Sequence, residues 1–195
     1  CDNRIILRRG VSYCRSLHAT AGLEGLGARM INSLYTAFMC GNKLISHIEL
    51  QKNGILTPKA MCAFTSEASV NGLDKFGYPA VIKPTVGSWG RLIGLINDKE
   101  SAKTVLEDRE HMFPICHISY FEEFVKRPPR DIRAIVVGEE VVAAIYRYSS
   151  ENEWKTNMAL GGHALPCPIT KEIEDICIKS AKIFKGDIVG VDLME

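Results

Sequence analysis

No stretch of this 195-residue sequence contains the run of about 18 apolar residues that a membrane-spanning helix needs, and no signal-peptide pattern opens it. We therefore expect no transmembrane segment. Charge of one sign is not in excess either, since 24 lysines and arginines accompany 23 aspartates and glutamates and the formal net charge is +1. That balance argues against a nucleic-acid or membrane-surface partner.

Metal-binding cysteine patterns are also absent. The seven cysteines are dispersed, without a CxxC pair or a His/Cys ligand spacing, so they do not indicate a thiolate metal site. An odd, scattered set of cysteines is typical of reduced thiols in a cytoplasmic protein, and we expect that location. No Ser/His/Asp or Cys/His nucleophile arrangement stands out. The five histidines share no spacing, and we interpret them as surface or loop residues.

What the sequence does contain is an ordinary globular composition, with 46% apolar and 24% charged residues. A chain of this length buries roughly 70% of its unfolded surface and forms one large domain or two small ones. No initiator methionine opens the sequence, and its last residues, Val191–Glu195, predict a strand about to turn. We therefore expect a fragment of a longer protein.

Apolar periodicity and capping residues predict two styles of structure along the chain. Before Pro58, short strands at 5–7 and 29–32 alternate with helices, which is typical of an α/β unit. After Pro58, helices mix with neighbouring strands and Gly138-Glu139-Glu140 predicts a hairpin, so the fold class indicated is α+β. The predicted helices are 16–26, 33–40, 42–52, 66–76, 99–110 and a last one that Thr170 caps and Gly186 ends; the later strands are 60–63, 79–83, 92–96, 118–125, 131–137, 141–148 and 188–194.

The most informative segment is Val81–Arg91, in which a lysine ends a strand and a glycine-rich loop leads to the next strand. Glycines let backbone N–H groups approach phosphate oxygens, and Lys83 and Arg91 supply positive charge. The loop residues are Gly87, Ser88, Trp89 and Gly90. The segment is not a Walker P-loop, because it has no Gly-Lys-Ser/Thr and no helix directly after it. A strand–loop–strand arrangement that covers phosphates is closer to the glycine-rich loop of kinases. An ordinary hairpin with a mobile tip is the alternative.

Other charged residues suggest further contacts with a ligand. Lys43 begins a predicted helix, where the helix dipole disfavours a cation, so its position calls for an anionic partner. Glu122-Glu123-Phe124-Val125 precedes a Pro-marked turn and could present backbone groups to an adenine edge. Asp131 and Arg133 lie two apart on one strand and share a face, which Arg147 on the partner strand could join. A solvated lysine and a solvated strand face are the alternatives.

Two further places could take part in a reaction. Asn157 and the backbone N–H groups of Gly161 and Gly162 suit an acyl phosphate or a tetrahedral oxyanion, although a polar loop has the same composition. Asp192 lies in an apolar strand, where a carboxylate is unfavourable unless a cation or several donors meet it. Mg²⁺ bridging nucleotide phosphates is a suitable partner, and an exposed sheet face is the alternative.

The order of these segments resembles the ATP-grasp superfamily over nearly all of residues 10–195. The segments that carry the resemblance are Cys40-Gly41-Asn42-Lys43, Tyr78-Pro79-Ala80-Val81-Ile82-Lys83-Pro84, Gly87-Ser88-Trp89-Gly90-Arg91, Glu122-Glu123-Phe124-Val125, Arg130-Asp131-Ile132-Arg133, Thr156-Asn157 and Gly190-Val191-Asp192-Leu193. Within the superfamily, the Gly-Ser-Trp-Gly-Arg loop and the stretch that ends at Arg147 are similar to the lysine-biosynthesis ligases of the LysX type and their glutamate-using ArgX relatives. RimK-type ligases are the next nearest.

This resemblance implies an ATP-grasp fold, in which two α+β subdomains sandwich ATP, preceded by the tail of an α/β domain. Residues 1–39 would be the C-terminal part of that pre-ATP-grasp domain, and 40–195 the ATP-grasp domain. Within the latter, about 58–125 would form the small nucleotide-covering subdomain and 126–195 the truncated start of the larger catalytic subdomain.

The resemblance also implies a role for each candidate residue. The expected nucleotide contacts are Lys43 and Lys83 on the phosphates, Gly87–Arg91 closing over them, Glu123–Val125 as the adenine hinge, and Asp131 at the ribose; Glu122, just before the hinge, is also expected to bind the nucleotide. At the reacting centre, the expected residues are Arg133 and Arg147 on the phosphoryl group or acyl phosphate, Asn157, Gly161 and Gly162 around the acceptor, and Asp192 as the first Mg²⁺ ligand.

The implied reaction has two steps. ATP phosphorylates the terminal Glu side-chain carboxylate of a small acidic carrier protein (LysW-like), and the amino group of α-aminoadipate or glutamate then attacks the acyl phosphate, in lysine or arginine biosynthesis. Positioning and charge neutralisation would supply most of the acceleration. The implied cofactors are ATP and Mg²⁺, and the implied partners are the carrier and the amino acid. We also expect a homo-oligomer.

Two other functions stay open: a RimK-type ligase that adds glutamate to a protein C-terminus, and a non-catalytic ATP-binding module. Three departures from the family pattern bear on them. Asn42 stands where Asp is usual, Leu160 stands where Arg is common, and no Glu-x-x-Asn with further Mg²⁺ ligands follows Asp192.

Overall fold

The structure, a computed structural model, describes residues 5–87, 90–150, 154–156 and 162–195. The chain divides into two compact units. The first contains Cys1–Gly41, Glu49–Ile55 and Arg127–Glu195, and the second contains Asn42–Ile48 and Leu56–Lys126. The second unit includes all of 58–125, while the domain boundaries expected above stay predictions. Among the described residues, no helix is both long and apolar enough to cross a bilayer.

Helices and antiparallel strands are mixed along the chain, which confirms the predicted α+β class. In chain order the elements are β1 (Ile5–Leu7), α1 (Tyr13–Gly25), β2 (Arg29–Ile31), α2 (Leu34–Gly41), α3 (Lys43–Lys52), β3 (Ala60–Ala63), α4 (Ser66–Phe76), β4 (Ala80–Lys83), β5 (Gly94–Ile96), α5 (Lys99–Glu110), a 3₁₀ helix (Pro114–His117), β6 (Ser119–Glu123), β7 (Arg130–Val137), β8 (Glu140–Tyr148), β9 (His163–Pro166), α6 (Lys171–Ile183) and β10 (Ile188–Leu193).

The second unit is built on an antiparallel sheet of order β3-β6-β4-β5. Apolar side chains on one face of this sheet pack against α4 and α5, with Leu73, Ile82 and Phe121 fully buried at the centre. Local capping defines both helices: the Thr65 side chain accepts from the N–H of Ala68, and Asp98 forms a capping box. The opposite face of the sheet is therefore left for other contacts.

The first unit contains a second antiparallel sheet, of order β10-β7-β8-β9, and a parallel pair of β1 and β2 connected through α1. One face of the four-stranded sheet packs on α6 and buries alternate residues of β7, including Ile132, Ala134 and Val136. Cys177 and Ala181 supply the facing side of α6. Since side chains alternate along a strand, Asp131 and Arg133 must lie on the other face of this sheet.

Polar contacts attach the N-terminal segment of the first unit to the start of β10. The Asn32 side chain accepts from the N–H groups of Asp187 and Ile188 at 2.8 and 2.9 Å, and donates to the carbonyl of Ile188 at 2.6 Å. The buried Thr36 hydroxyl contacts the carbonyls of Phe184 and Lys185, each at 2.9 Å. These bonds hold the end of α6 and the beginning of β10, the strand that carries Asp192.

The structure differs from the predicted elements in a few places. Helix α1 begins at Tyr13 rather than at residue 16, because Ser12 acts as its N-cap. The residue with left-handed backbone after α6 is Lys185, with φ of 50°, and Gly186 follows it. The 3₁₀ helix and β9 were not predicted. Strand β9 is exposed along its whole length, so it has no buried face to produce an apolar alternation.

Candidate functional site

The polar face of the second unit's sheet carries Lys83, Tyr120 and Glu122. In the β4–β6 register Lys83 lies opposite Tyr120 and Val81 lies opposite Glu122, so all four side chains share one face. The Lys83 ammonium donates a short hydrogen bond to Oε2 of Glu122, and the Tyr120 hydroxyl donates to Oε1 at 2.8 Å. Both carboxylate oxygens of Glu122 are therefore engaged by side chains on the same two strands.

A second lysine reaches this region from the start of α3. The Asn42 side chain caps that helix by accepting from the N–H groups of Leu44 and Ile45, at 3.1 and 3.2 Å. An asparagine oxygen thus does here what an aspartate would do. The backbone N–H of Lys43 donates to the carbonyl of Thr85 at 2.7 Å, and its ammonium donates to the carbonyl of Gly87 at 2.7 Å. Lys43 therefore contacts the first residue of the glycine-rich loop, Gly87, and also Thr85, two residues before it.

Burial and the nearby charge of Lys83 lower the pKa of Lys43 below that of an ordinary lysine, and the carboxylate of Glu122 acts against this shift. A partly dehydrated ammonium beside another cation favours an anionic partner. The role of Lys43 at a phosphate stays a prediction.

His47, one turn further along α3, is buried rather than exposed, so its interpretation as a surface or loop residue is wrong. Its ring lies edge-on to that of Tyr120, with 6.1 Å between the ring centres. Burial lowers the pKa of His47, although the charge of Glu122 opposes the shift. The shift favours the neutral form of this imidazole, which lies against the ring of Tyr120.

The glycine-rich loop is described in part. Gly90 has a φ of 69°, a left-handed backbone conformation that glycine adopts without strain, and Arg91 follows it in the turn before β5. Ser88 and Trp89, which were expected to contact phosphate, lie outside the described residues. The carbonyl that Lys43 contacts belongs to Gly87, at the beginning of this loop.

The expected adenine hinge begins at the end of β6. Glu123 is bonded twice to Lys59, through its own N–H at 2.9 Å and through its side chain, which accepts from the Lys59 N–H at 2.7 Å. These two bonds position the chain just before Phe124 and Val125, which follow the strand. The backbone groups after Glu123 are therefore presented from a well-held strand end.

The second set of candidate residues lies on the sheet of the first unit, on the face turned away from α6. Asp131 lies opposite Arg147 in the β7–β8 register, and Arg133 lies opposite Asp192 in the β7–β10 register. Arg147 forms a two-point pair with Asp131, with N–O distances of 2.7 and 2.9 Å. Nη2 of Arg147 also lies 2.9 Å from Oδ1 of Asp192, and Nε of Arg133 lies 3.0 Å from the same oxygen.

The two carboxylates of this charged face differ in environment. Asp131 is buried, and it also accepts a short hydrogen bond from the buried hydroxyl of Thr156. Asp192 keeps about half of its side chain exposed, at 53%. Partial desolvation nevertheless raises the pKa of Asp192, and the guanidinium groups of Arg133 and Arg147 act against that shift. Asp192 is thus the more accessible of the two acids.

Gly190 makes room for one of the arginines. A β-carbon at this position would lie 2.6 Å from Nη1 of Arg133, so a larger residue would displace the guanidinium. The glycine in the Gly-Val-Asp-Leu segment therefore has a defined steric purpose.

The remaining candidates lie in or beside the segment after β8. Gly162 is described and precedes β9 directly, whereas Asn157, Leu160 and Gly161 lie outside the described residues. The roles expected for those three residues stay predictions.

The structure brings together Lys43, Lys83 and Glu122 in one unit and Asp131, Arg133, Arg147 and Asp192 in the other. Sequence reasoning did not identify Tyr120 or Thr156 as parts of these sets. The signal for Tyr120 was available, because a residue two before Glu122 on a strand must share its face. Thr156 belongs to a segment that carries the resemblance, but strand alternation assigns it no face because it lies in no helix or strand.

The side chains fit the cofactors that the resemblance implies. An exposed carboxylate oxygen at Asp192 is the hard ligand that Mg²⁺ prefers, and partly buried ammonium groups suit phosphate oxygens. Within the part of the chain that the structure describes, no three His, Cys, Asp or Glu side chains come close enough to hold a metal ion by themselves. Asp192 would therefore share a bound Mg²⁺ with phosphate oxygens and other ligands.

Comparison with known proteins agrees with this geometry. Residues 40–195 match the family of RimK-like ATP-grasp domains. The chain is 37% identical over all 195 of its residues to an alpha-aminoadipate–LysW ligase, LysX, of Sulfurisphaera tokodaii, and covers 68% of that protein. It is 35% identical over 192 residues, 98% of its length, to a glutamate–LysW ligase, ArgX, of Sulfolobus acidocaldarius, and covers 68% of that protein.

The fold is also shared with a solved structure. The crystal structure of a RimK-domain ATP-grasp protein from Sphaerobacter thermophilus superposes with a TM-score of 0.77 at 17% identity, covering 100% of this chain and 69% of that one.

Proposed function

Because the chain belongs to the RimK-like ATP-grasp family, we propose that it is an ATP-dependent ligase joining a carboxylate to an amine. The observation that carries this proposal is similarity to two named ligases along 98–100% of this chain and 68% of each ligase, combined with a two-lysine cluster and an arginine–aspartate face of the right chemistry. Both relatives act on LysW. We therefore propose a small acidic carrier protein as the acyl donor, with α-aminoadipate or glutamate as the amine.

The amino acid is proposed as one of two, because the two kinds of relative are similarly close. Identity is 37% to the α-aminoadipate ligase and 35% to the glutamate ligase. Both amino acids end in a side-chain carboxylate and differ by one methylene group, a difference that an apolar pocket distinguishes by only about 1–3 kcal/mol. The experiment must therefore offer both.

For the nucleotide, we propose that Lys83 and Lys43 bind phosphate oxygens. Glu122 orients the first, and the second already contacts the loop carbonyl of Gly87, which a phosphate oxygen would replace as acceptor. Loop residues Gly87–Arg91 would then cover the phosphates. Phe124 and Val125 would present backbone groups to the adenine, since the two bonds of Glu123 to Lys59 hold the preceding strand end.

For the metal, we propose Asp192 as a Mg²⁺ ligand. When bound, Mg²⁺ neutralises phosphate charge and holds the phosphates in line for transfer. The protein's own contribution is the placement of this carboxylate between two guanidinium groups. Arg133 and Arg147 would move their hydrogen bonds from Asp192 to the oxygens of the transferred phosphoryl group.

We propose that Asp131 orients Arg147. Its carboxylate forms a two-point pair with the guanidinium and is buried under Thr156, which supports that role; contact with the ribose stays a prediction. A planar guanidinium held at two points presents its remaining N–H groups in a fixed direction. Asn157, Gly161 and Gly162 are proposed to frame the acceptor.

The chemistry follows from these positions. A carboxylate oxygen of the carrier attacks the γ-phosphorus, the bond to the β,γ-bridging oxygen breaks, and ADP leaves. The neutral amine of the amino acid then attacks the acyl carbon, phosphate is expelled, and the amine loses a proton. The lysines and arginines stabilise negative charge that moves between oxygens, which is where most of the acceleration in phosphoryl transfer arises.

A ligation assay tests this proposal. The full-length protein is incubated with ATP, Mg²⁺ and a LysW-like carrier, with α-aminoadipate and glutamate offered separately, and the carrier is weighed by mass spectrometry. We expect the carrier to gain the mass of one amino-acid residue, with ADP and phosphate released only when carrier and amino acid are both present. No mass gain with either amino acid would reject the proposal.

A further inference from the structure

We infer that Glu122 is a positioning residue for Lys83. Tyr120 in turn holds Glu122 in place, and Glu122 makes no contact with the adenine base. The inference rests on the proposed function and assigns Glu122 to the phosphate end of the nucleotide. The sequence had suggested only that the segment beginning at Glu122 could present backbone groups to an adenine edge.

The first argument is geometric. Oε2 of Glu122 accepts from the Lys83 ammonium and Oε1 accepts from the Tyr120 hydroxyl at 2.8 Å, so both oxygens have a donor within the same sheet. The strand register fixes this arrangement, because Lys83 and Tyr120 are directly opposite and Glu122 is one diagonal step away on the same face. Glu123, by contrast, directs its carboxylate to the N–H of Lys59.

The second argument concerns burial. Tyr120 has no exposed surface, and the side chains of Lys83 and Glu122 are only 18% and 12% exposed. An ammonium and a carboxylate in such a place are strongly unfavourable unless they are paired. Each therefore needs the other in the free protein, and the rigid phenol of Tyr120 prevents Glu122 from turning away.

The third argument concerns the neighbouring charges. The groups that face Glu122 are Lys83 from β4, Tyr120 from β6 and, from α3, Lys43 and His47, while Cys62 of β3 lies near Tyr120. Burial and the charge of Glu122 raise the pKa of the Tyr120 hydroxyl, which therefore stays a hydrogen-bond donor. Glu122 is thus the one carboxylate in this group with two lysines, and it reduces the repulsion between them.

The consequence for binding is specific. With Oε2 of Glu122 occupying one N–H direction of the Lys83 ammonium, the other two point elsewhere and can serve phosphate oxygens. Removing the negative charge releases Lys83 and leaves the repulsion between the two partly buried ammonium groups of Lys43 and Lys83 without compensation. Affinity should then fall for ligands that reach Lys83 with a phosphate chain, and it should not fall for ligands that carry the adenine without that chain.

The test compares ATP with AMP. Dissociation constants of both are measured by calorimetry for the wild-type protein, Glu122→Gln and Tyr120→Phe, with Glu100→Gln as the matched control. Glu100 also pairs with a lysine, Lys103, but on an exposed helix surface. For Glu122→Gln we expect the Kd of ATP to rise about tenfold or more, because losing a hydrogen bond between charged groups typically weakens binding by about that factor. The Kd of AMP should stay the same. Tyr120→Phe should give a smaller change in the same direction.

A pH series adds a readout that a purely structural role would not change. In Glu122→Gln the loss of ATP affinity at alkaline pH should begin at lower pH than in the wild type, because the charge of Glu122 raises the pKa of Lys43 and the variant lacks that charge. Equal losses for ATP and AMP would assign Glu122 to the adenine and overturn the inference. Unchanged ATP binding by Glu122→Gln would also overturn it, while wild-type protein that binds no ATP would reject the proposed function itself.

Discussion

The position where a β-carbon of residue 190 would lie is only 2.6 Å from Nη1 of Arg133, so Gly190 and the guanidinium of Arg133 occupy adjoining space. The atom in the way is the far end of a flexible side chain, which can move without disturbing the sheet. Substitution at Gly190 should therefore affect the direction of one guanidinium more than it affects folding.

We accordingly expect Gly190→Ala to reduce kcat of the ligation reaction by about 100-fold, since displacement of a catalytic group by about 1 Å can have that effect. The melting temperature should change little. The measurement is steady-state kinetics alongside thermal unfolding, with Gly138→Ala as a contrasting variant. Gly138 has a φ of 61° in the β7–β8 turn, and a β-carbon there would meet nothing within 4 Å, so its substitution should lower stability without this loss of kcat. An unchanged kcat in Gly190→Ala would show that the reaction does not depend on the observed position of the Arg133 guanidinium.

Lys83→Met should weaken ATP binding by roughly 10- to 100-fold, because it removes a charged donor and leaves Glu122 buried without its ammonium partner. Calorimetry with ATP measures the effect. Lys103→Met is the matched control, since Lys103 pairs with Glu100 on an exposed surface. If both variants bound ATP equally, the assignment of Lys83 to phosphate would be wrong.

Asp192→Asn should raise the Mg²⁺ concentration required for half-maximal activity by about tenfold or more, as expected when a metal ligand loses its charge. A titration of initial rate against Mg²⁺ measures this. Asp175→Asn provides a comparison, because that carboxylate pairs with Lys171 on the exposed side of α6. An identical Mg²⁺ requirement in Asp192→Asn and the wild type would remove Asp192 from the metal site.

His47 should make folding less favourable in acid. Burial lowers its pKa in the folded state, so the unfolded chain binds a proton to this histidine at higher pH than the folded chain does. The free energy of unfolding therefore decreases as the pH falls below about 6.5, the ordinary value for histidine.

Urea unfolding of the wild type and His47→Asn at pH 7.5 and 5.5 tests this expectation. The variant should lose less stability between the two pH values than the wild type does, whereas substitution of the exposed His111 by asparagine should leave the difference unaltered. A parallel loss in the wild type and His47→Asn would contradict the assignment.

A substitution in the hydrophobic core shows what a loss of stability alone looks like, for comparison with the substitutions at the candidate sites. Leu73 of α4 is fully buried in the core that α4 forms with α5 and the sheet of the second unit, so Leu73→Ala should lower the free energy of unfolding by about 2–5 kcal/mol. Leu56→Ala should have almost no effect, since Leu56 is 97% exposed. Chemical denaturation measures both, and a negligible change in Leu73→Ala would mean that this cluster does not stabilise the fold.

Elements with local start and stop signals were predicted to within a residue. Helix α4 begins after its cap at Thr65 and ends before Gly77, and α5 begins after the capping box at Asp98. These signals act between residues three or four apart, so the sequence displays them directly. Strand β9 gave no comparable signal, because its residues are all exposed and its partner is defined only by tertiary pairing.

Within the candidate sites, contacts that depend on local strand geometry could be predicted, whereas contacts that depend on tertiary pairing could not. That Asp131 and Arg133 share a face follows from strand alternation alone, and the hairpin brings Arg147 opposite Asp131. The approach of Asp192 to Arg133 depends on the pairing of β10 with β7, which no local pattern determines. The burial of His47 likewise depends on its contact with Tyr120, and this is why the histidine was misassigned.

The alternation in β7 has a consequence for how this protein can change in evolution. Ile132 and Ala134 support the core while Asp131 and Arg133 serve the opposite face, so inserting or deleting a single residue would exchange the two sets and bury charges where methyl groups belong. Gradual replacement of one side chain by another can still retune such a strand. Changes in length should instead accumulate in the turns and at exposed edges, and a natural variant with an altered count inside β7 is not expected to survive selection.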